Sequence, residues 1–263
     1  MGLTTKYLFF FFLLIIANRI CFAQETQDKK YNQFWNEYAF THNLSEAWAL
    51  ELDVGVTSSS VPLNNNPFYG ITQFYFRGWA HYYPDDRWKL SVYYAYFYNK
   101  NVPELSQRKA PEYRSAIQGT YYILRGRNKL SSRFRIEDRH LQNEEGFFEA
   151  VQRFRIQAKY IYPFSGPVIQ KNVVYGYASD ELFFKTKSKI SGPDNFDRNR
   201  FIIGLGYVLT DAIQFELAYA NETLPRDGTT EIINAVQINV YFTDFLTVFK
   251  SHKREKTAIE DSN

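Results

Sequence analysis

The stretch RFRIEDRH at residues 133–140 alternates between charged and apolar side chains with a period of two. Arg133, Arg135, Glu137 and Arg139 share one face of an extended chain, opposite Phe134, Ile136 and Asp138. VQRFRIQAKYIY at residues 151–162 repeats the pattern, with Arg153, Arg155, Gln157 and Lys159 opposite Phe154, Ile156, Ala158 and Tyr160. Successive strand residues point to opposite sides of a sheet, so each stretch must hide one face. In a water-soluble sandwich the apolar face goes inward. In a barrel surrounded by lipid the order is reversed: the wall satisfies its own backbone groups, the outer face is apolar and the lumen can carry charge.

Strand length and loop rhythm favour the reversed order. Period-two alternation recurs over Trp48–Val56, Trp88–Tyr98, Phe201–Leu209 and Ile213–Tyr219. It is weaker over Phe34–His42, Thr72–Tyr82, Glu112–Ile123, Val168–Phe183 and Ile232–Phe242. With the two opening stretches these make eleven candidate strands. Most run about ten residues, the length of a tilted membrane-crossing strand, against about five or six in globular sheets. Short turns at 84–87, 125–128, 163–167 and 210–211 alternate with longer polar connections at 58–68, 99–111, 140–148, 185–198 and 222–230. That rhythm is expected of an outer-membrane barrel with tight periplasmic turns and extended external loops. The pattern therefore predicts one domain, residues 24–242, folded as a transmembrane antiparallel up-and-down β-barrel of ten to twelve strands. Twelve is favoured, because bacterial barrels use even numbers and residues 25–32 can supply one more segment.

The chain ends fit export. Residues 1–23 place Lys6 before an apolar run from Tyr7 to Ala17 and close on Cys21-Phe22-Ala23, the layout of a cleaved signal peptide. Cleavage there removes the only Cys and the only Met, so neither disulfides nor thiol chemistry is expected of the mature chain. It also removes Lys6 and Arg19, lowering the formal charge from +3 to +1, a near-neutral balance that offers nothing to nucleic acid. Aromatic residues form 19% of the chain, including 21 Tyr and 24 Phe, an excess that suits the interfacial girdles of a membrane barrel. Trp48, Trp88, Tyr98, Tyr160, Tyr162 and Tyr207 stand near strand ends, where girdles form. His81, beside Tyr82 and Tyr83, is expected to join one. The last strand closes Gln237-Ile238-Asn239-Val240-Tyr241-Phe242, an alternating run ending on an aromatic, like the signal read by barrel-assembly machinery. Residues 243–263 follow as a polar tail. The expected location is the bacterial outer membrane, with its lipid and the assembly machinery as partners.

The order of charges along the chain carries a family resemblance. Glu112-x-Arg114-x-x-x-Gln118, Arg133-x-Arg135-x-Glu137-x-Arg139, Arg153-x-Arg155, Asp180-Glu181 and Asn199-Arg200 before a glycine-containing strand resemble domain of unknown function 2490. The resemblance implies an outer-membrane β-barrel of a Gram-negative bacterium and implies no activity.

The candidate functional residues are the inward charges: Arg77, Glu112, Arg114, Arg133, Arg135, Glu137, Arg139, Arg153, Arg155, Glu181 and Arg200. Two outcomes are open to them. Guanidinium planes can pair bidentately with the carboxylates and fill the lumen as structure. Alternatively, they form a basic constriction that favours anionic solutes in a narrow pore. A membrane-embedded lipid-modifying enzyme would need Ser and His together, and none of His42, His81, His140 and His252 stands in a Ser-based motif. His140, with Glu144 and Glu145, is a poor metal set, and no cofactor or metal is expected. A soluble lipocalin-like binding barrel is the remaining alternative.

Overall fold

The computed structural model describes residues 27–244 apart from 106 and 227, so the signal-peptide region and all but the first two residues of the tail lie outside the described residues. Eleven strands close one barrel. They are β1 (Gln27–Asn43), β2 (Trp48–Ser59), β3 (Gly70–Tyr82), β4 (Trp88–Asn99), β5 (Ala110–Arg125), β6 (Lys129–Gln142), β7 (Phe148–Pro163), β8 (Val174–Lys185), β9 (Phe196–Thr210), β10 (Ile213–Arg226) and β11 (Thr229–Thr243).

Each strand pairs antiparallel with its sequence neighbours, and the barrel closes through a parallel pair of β1 and β11, from Gln27 opposite Thr229 to Thr41 opposite Thr243. The favoured count of twelve is thereby corrected to eleven, and the wall is not antiparallel throughout. Residues 27–32 extend β1 instead of forming a separate segment, because their backbone finds partners on β11 directly. Closure leaves no sheet edge.

Two expected connections also differ. Residues 222–230 do not form an external loop: β10 continues to Arg226, β11 begins at Thr229, and Gly228 takes φ +67° in the tight turn between them. β8 begins at Val174 and not at 168, so the connection after β7 spans residues 164–173. Hydrogen bonds from Phe164 N–H to the Val174 carbonyl and from Asn172 N–H to that of Val208 on β9 tie it to the barrel wall. The barrel thus has a turn end, carrying the connections after β1, β3, β5, β7 and β9, and a loop end carrying the rest.

Alternation sorts the side chains as the period-two pattern requires. Outward Leu52, Val92, Ile117, Phe134, Ile136, Leu205 and Leu217 are all exposed, while inward Asp53, Glu112, Glu137 and Glu181 are buried. Outward aromatic pairs border this apolar belt on both sides. Trp48–Tyr82, Trp88–Tyr121 and Phe40–Phe242 stand toward the turn end, with ring centroids 4.7, 4.9 and 4.9 Å apart. Phe34–Phe68, Phe74–Tyr98 and Tyr113–Phe148 stand toward the loop end, at 4.8, 4.9 and 5.5 Å. Outward polar pairs begin near the same level: Gln152 donates to Asp138 at 2.6 Å and Asn199 to Asp180 at 2.6 Å.

Inside, glycines make room for rings. A Cβ on Gly206 would lie 2.0 Å from the Tyr175 ring, and one on Gly55 would lie 2.3 Å from Tyr75. Glycine in a strand interior has no side chain of its own to pack, so it marks such a close approach. Two inward clusters result, one of Trp79, Tyr93, Ala95, Phe97 and Ala116, the other of Tyr175, Tyr177, Val208 and Ala218. Ile169, from the 164–173 connection, folds onto the second.

Candidate functional site: a charged lumen

The inward charges are assembled around carboxylates that sit against the wall. Glu112 on β5 accepts from Arg114 at 2.5 and 2.8 Å and from Arg139 across the hairpin at 2.6 and 3.1 Å. Glu137 on β6 accepts from Arg153 at 2.6 Å, Arg155 at 2.6 Å and Arg135 at 3.3 Å. Glu181 on β8 takes both arms of Arg155 at 2.8 Å and one of Arg133 at 2.6 Å. Arg155 therefore bridges Glu137 and Glu181. The cause is register. Residues 137, 153 and 155 all face inward, Glu137 lies opposite Arg153, and Arg155 is one inward step further toward Glu181. Neighbouring strands stand about 4.8 Å apart, within reach of a long guanidinium stem.

The remaining two candidates pair elsewhere. Arg77 on β3 contacts Asp53 at 2.6 Å and Glu37 at 2.9 Å, and Arg200 on β9 pairs with Glu222. All eleven sequence candidates thus lie on the inner wall, in three groups. The β5–β8 group holds nine of them, and Arg77 and Arg200 each head their own.

Sequence reasoning passed over several members. Glu37, Asp53, Asp197, Arg198, Glu216 and Glu222 complete the groups. Arg198 joins Asp197 and Glu222 at 3.2 and 3.0 Å, and Glu216 accepts from Tyr175, Tyr241 and Asn239 at 2.8, 3.0 and 3.3 Å. Asp53 and Glu216 were legible from the alternation of their strands. Asp197 and Glu222 were not, because both stood in stretches that read as loops.

His81 is also corrected. It faces inward, 2% exposed, and does not join a girdle: its Nδ1 lies 2.9 Å from Ser91 Oγ and its Nε2 3.7 Å from Glu51. Ser91 lies opposite His81 in the β3–β4 register, a pairing with no trace in a linear motif. The order Ser–His–Glu matches a nucleophile and its base, but His81 and Ser91 are 2% and 4% exposed, so a substrate carbonyl has no approach. His140 sits on the outer face of β6, 3.0 Å from Asp138.

A cavity of about 500 Å³ occupies the lumen, running from Gln33, Gln73 and Gln107 near the loop end to Lys159, Glu216 and Tyr241. Nine cations line it, Arg77, Arg114, Arg133, Arg135, Arg153, Arg155, Lys159, Arg198 and Arg200, against three carboxylates, Glu37, Glu216 and Glu222. Glu112, Glu137 and Glu181 stand behind their arginines. Toward the turn end, inward Ala49, His81, Ser91 and Val208 are all buried, so the cavity narrows sharply there.

A closed barrel with an apolar exterior and an ion-paired interior enclosing a cavity defines the class: a β-barrel protein with a charged lumen. A family model described as a protein of unknown function, DUF2490, matches residues 32–232, and the chain belongs to that family. No curated protein matches the chain.

Proposed function

We propose that this chain is an outer-membrane β-barrel whose basic lumen admits small anionic solutes. One observation carries the reading: inside a wall whose outer face is an apolar belt between aromatic pairs, nine cations and three carboxylates face the cavity. Such a surface concentrates anions, by the logic of charged rings in pores. The belt and its aromatic borders suit a bilayer. The layout of residues 1–23 supports export, and the alternating end of β11 supports delivery by barrel-assembly machinery. On this reading the loop end faces outward and the polar tail at 243–263 lies in the periplasm.

The test is reversal potential in a salt gradient across a planar bilayer holding the refolded barrel. A small conductance with anion preference is expected, because the turn end is narrow. Cation preference, or a mature chain that stays soluble without detergent, overturns the proposal. The clamped carboxylates favour a second reading, a purely structural barrel, and complete absence of current together with absence of anion binding selects it.

A further inference from the structure

Two parts of the lumen hold more guanidinium groups than carboxylates: Arg114 and Arg139 share Glu112, and a larger excess lies around Glu137 and Glu181. Arg198 and Arg200 face Asp197 and Glu222, and Lys159 faces Glu216. Around Glu137 and Glu181, four guanidinium groups, Arg133, Arg135, Arg153 and Arg155, share two carboxylates, an excess of two positive charges; a third carboxylate, Asp197, is 3.7 Å from Arg153 but is shared with Arg198 and Arg226. The donors are unevenly used. Arg155 spends three on the two carboxylates, and Arg153 holds Glu137 through Nε and Nη2. Arg133 makes one bond to Glu181, and its buried Nε has no hydrogen-bond partner among the described residues. Arg135 bonds a neutral amide, Gln118, at 2.8 Å, and reaches the already occupied Glu137 only at 3.3 Å. Arg133 and Arg135 are inward neighbours on β6, and both line the cavity.

Like charges brought together away from bulk water are costly unless a counter-charge satisfies them. A guanidinium group offers five donors in a planar fork matched to oxyanions. We infer that Arg133 and Arg135, backed by Arg153 and Arg155, form a binding site for a dianionic oxyanion of the phosphate or sulfate type, free or as the terminal group of a solute entering the lumen. The charge of the ligand follows from the excess of two, and its chemistry from the unused guanidinium donors. The inference rests on the basic-lumen reading and sharpens it to one ligand class and four residues.

The experiment is isothermal titration of the mature barrel, folded in detergent micelles, with sodium phosphate, sodium sulfate and glucose 6-phosphate at constant ionic strength set by sodium chloride. Phosphate and sulfate bind above the chloride background. Binding of glucose 6-phosphate as well assigns the site to a terminal group, and its exclusion assigns it to the free ion. Arg135→Gln weakens phosphate binding by about tenfold or more, the worth of a charge-assisted bond. Glu181→Gln raises the local excess and shifts affinity the other way, and phosphate raises its urea midpoint more than that of the native barrel. The two variants keep the test alive if either folds poorly. Phosphate and sulfate no better than chloride, or Glu181→Gln weakening phosphate binding, overturns the inference. A cation preference in the bilayer measurement would instead overturn the basic lumen itself, so the two failures are distinguishable.

Discussion

Replacing Glu137 by Gln probes how dry the arginine wall is. Glu137 is 0% exposed and accepts from three guanidinium groups: Arg153 and Arg155 at 2.6 Å and Arg135 at 3.3 Å. The amide has the same shape, so packing is unchanged. It keeps one acceptor and turns the other oxygen into a donor that faces donors. Three positive charges are left around a neutral group. Breaking a buried pair by removing one partner costs about 3–5 kcal/mol, and much less where water can reach the stranded charge. The stranded side chains of Arg135, Arg153 and Arg155 line the cavity but are only 5%, 5% and 9% exposed, so a loss of about 3 kcal/mol is expected. The assay is urea unfolding of the barrel in lipid vesicles, followed by tryptophan fluorescence. Adding Arg153→Met to Glu137→Gln removes one stranded charge and returns part of the loss, which a double-mutant cycle measures. As a control, Glu144→Gln breaks a pair with Arg108 that is 3.6 Å long and 84% exposed on the carboxylate side, and changes stability by less than about 1 kcal/mol. A loss below about 1 kcal/mol for Glu137→Gln would refute the buried network.

Three further outcomes are expected. Leu52→Arg places a charge on the exposed belt and lowers folded yield in vesicles by the equivalent of about 2–4 kcal/mol, whereas Thr57→Arg, which points into the cavity, has a much smaller effect; equal yields would remove the inside–outside assignment. Gly206→Ala drives its methyl into the Tyr175 ring and disturbs the bond from Tyr175 to Glu216, costing about 1–3 kcal/mol in the same urea assay, while Gly78→Ala, whose Cβ would meet nothing within 4 Å, stays within about 1 kcal/mol. Because β1 and β11 run parallel, the chain enters and leaves the barrel at opposite ends. In the proposed outer-membrane orientation, an epitope placed before Gln27 is labelled on intact cells together with one inserted at Asn65, and an epitope after Asn263 is not; labelling of both termini from one side would refute the eleven-strand closure.

Alternation is a property of the extended backbone itself, and so the sequence alone determined which face of each strand is charged. Arg133, Arg135, Glu137 and Arg139 could be placed on the inner wall from RFRIEDRH without a partner in sight, and so could Arg153 and Arg155. Antiparallel hairpins with short connections follow from the same local reading. Closure does not. The pairing of Gln27–Thr41 with Thr229–Thr243 joins segments about 200 residues apart, and no local period records it; the parity of the strand count therefore depended on the folded ring. The same holds for the Glu222 and Asp197 groups, which became visible only when β10 ran on to Arg226 and β9 began at Phe196. It holds most sharply for the ion pairs. Sequence supplied six candidate arginines and three candidate glutamates on β5–β8, but register decided that Arg155 bridges two carboxylates while Arg133 and Arg135 are left with unused donors. A one-residue slip would turn every one of these side chains to the opposite face, and a two-residue slip would keep them inward with different partners. Which face carries charge is local chemistry, and which charge meets which is tertiary geometry.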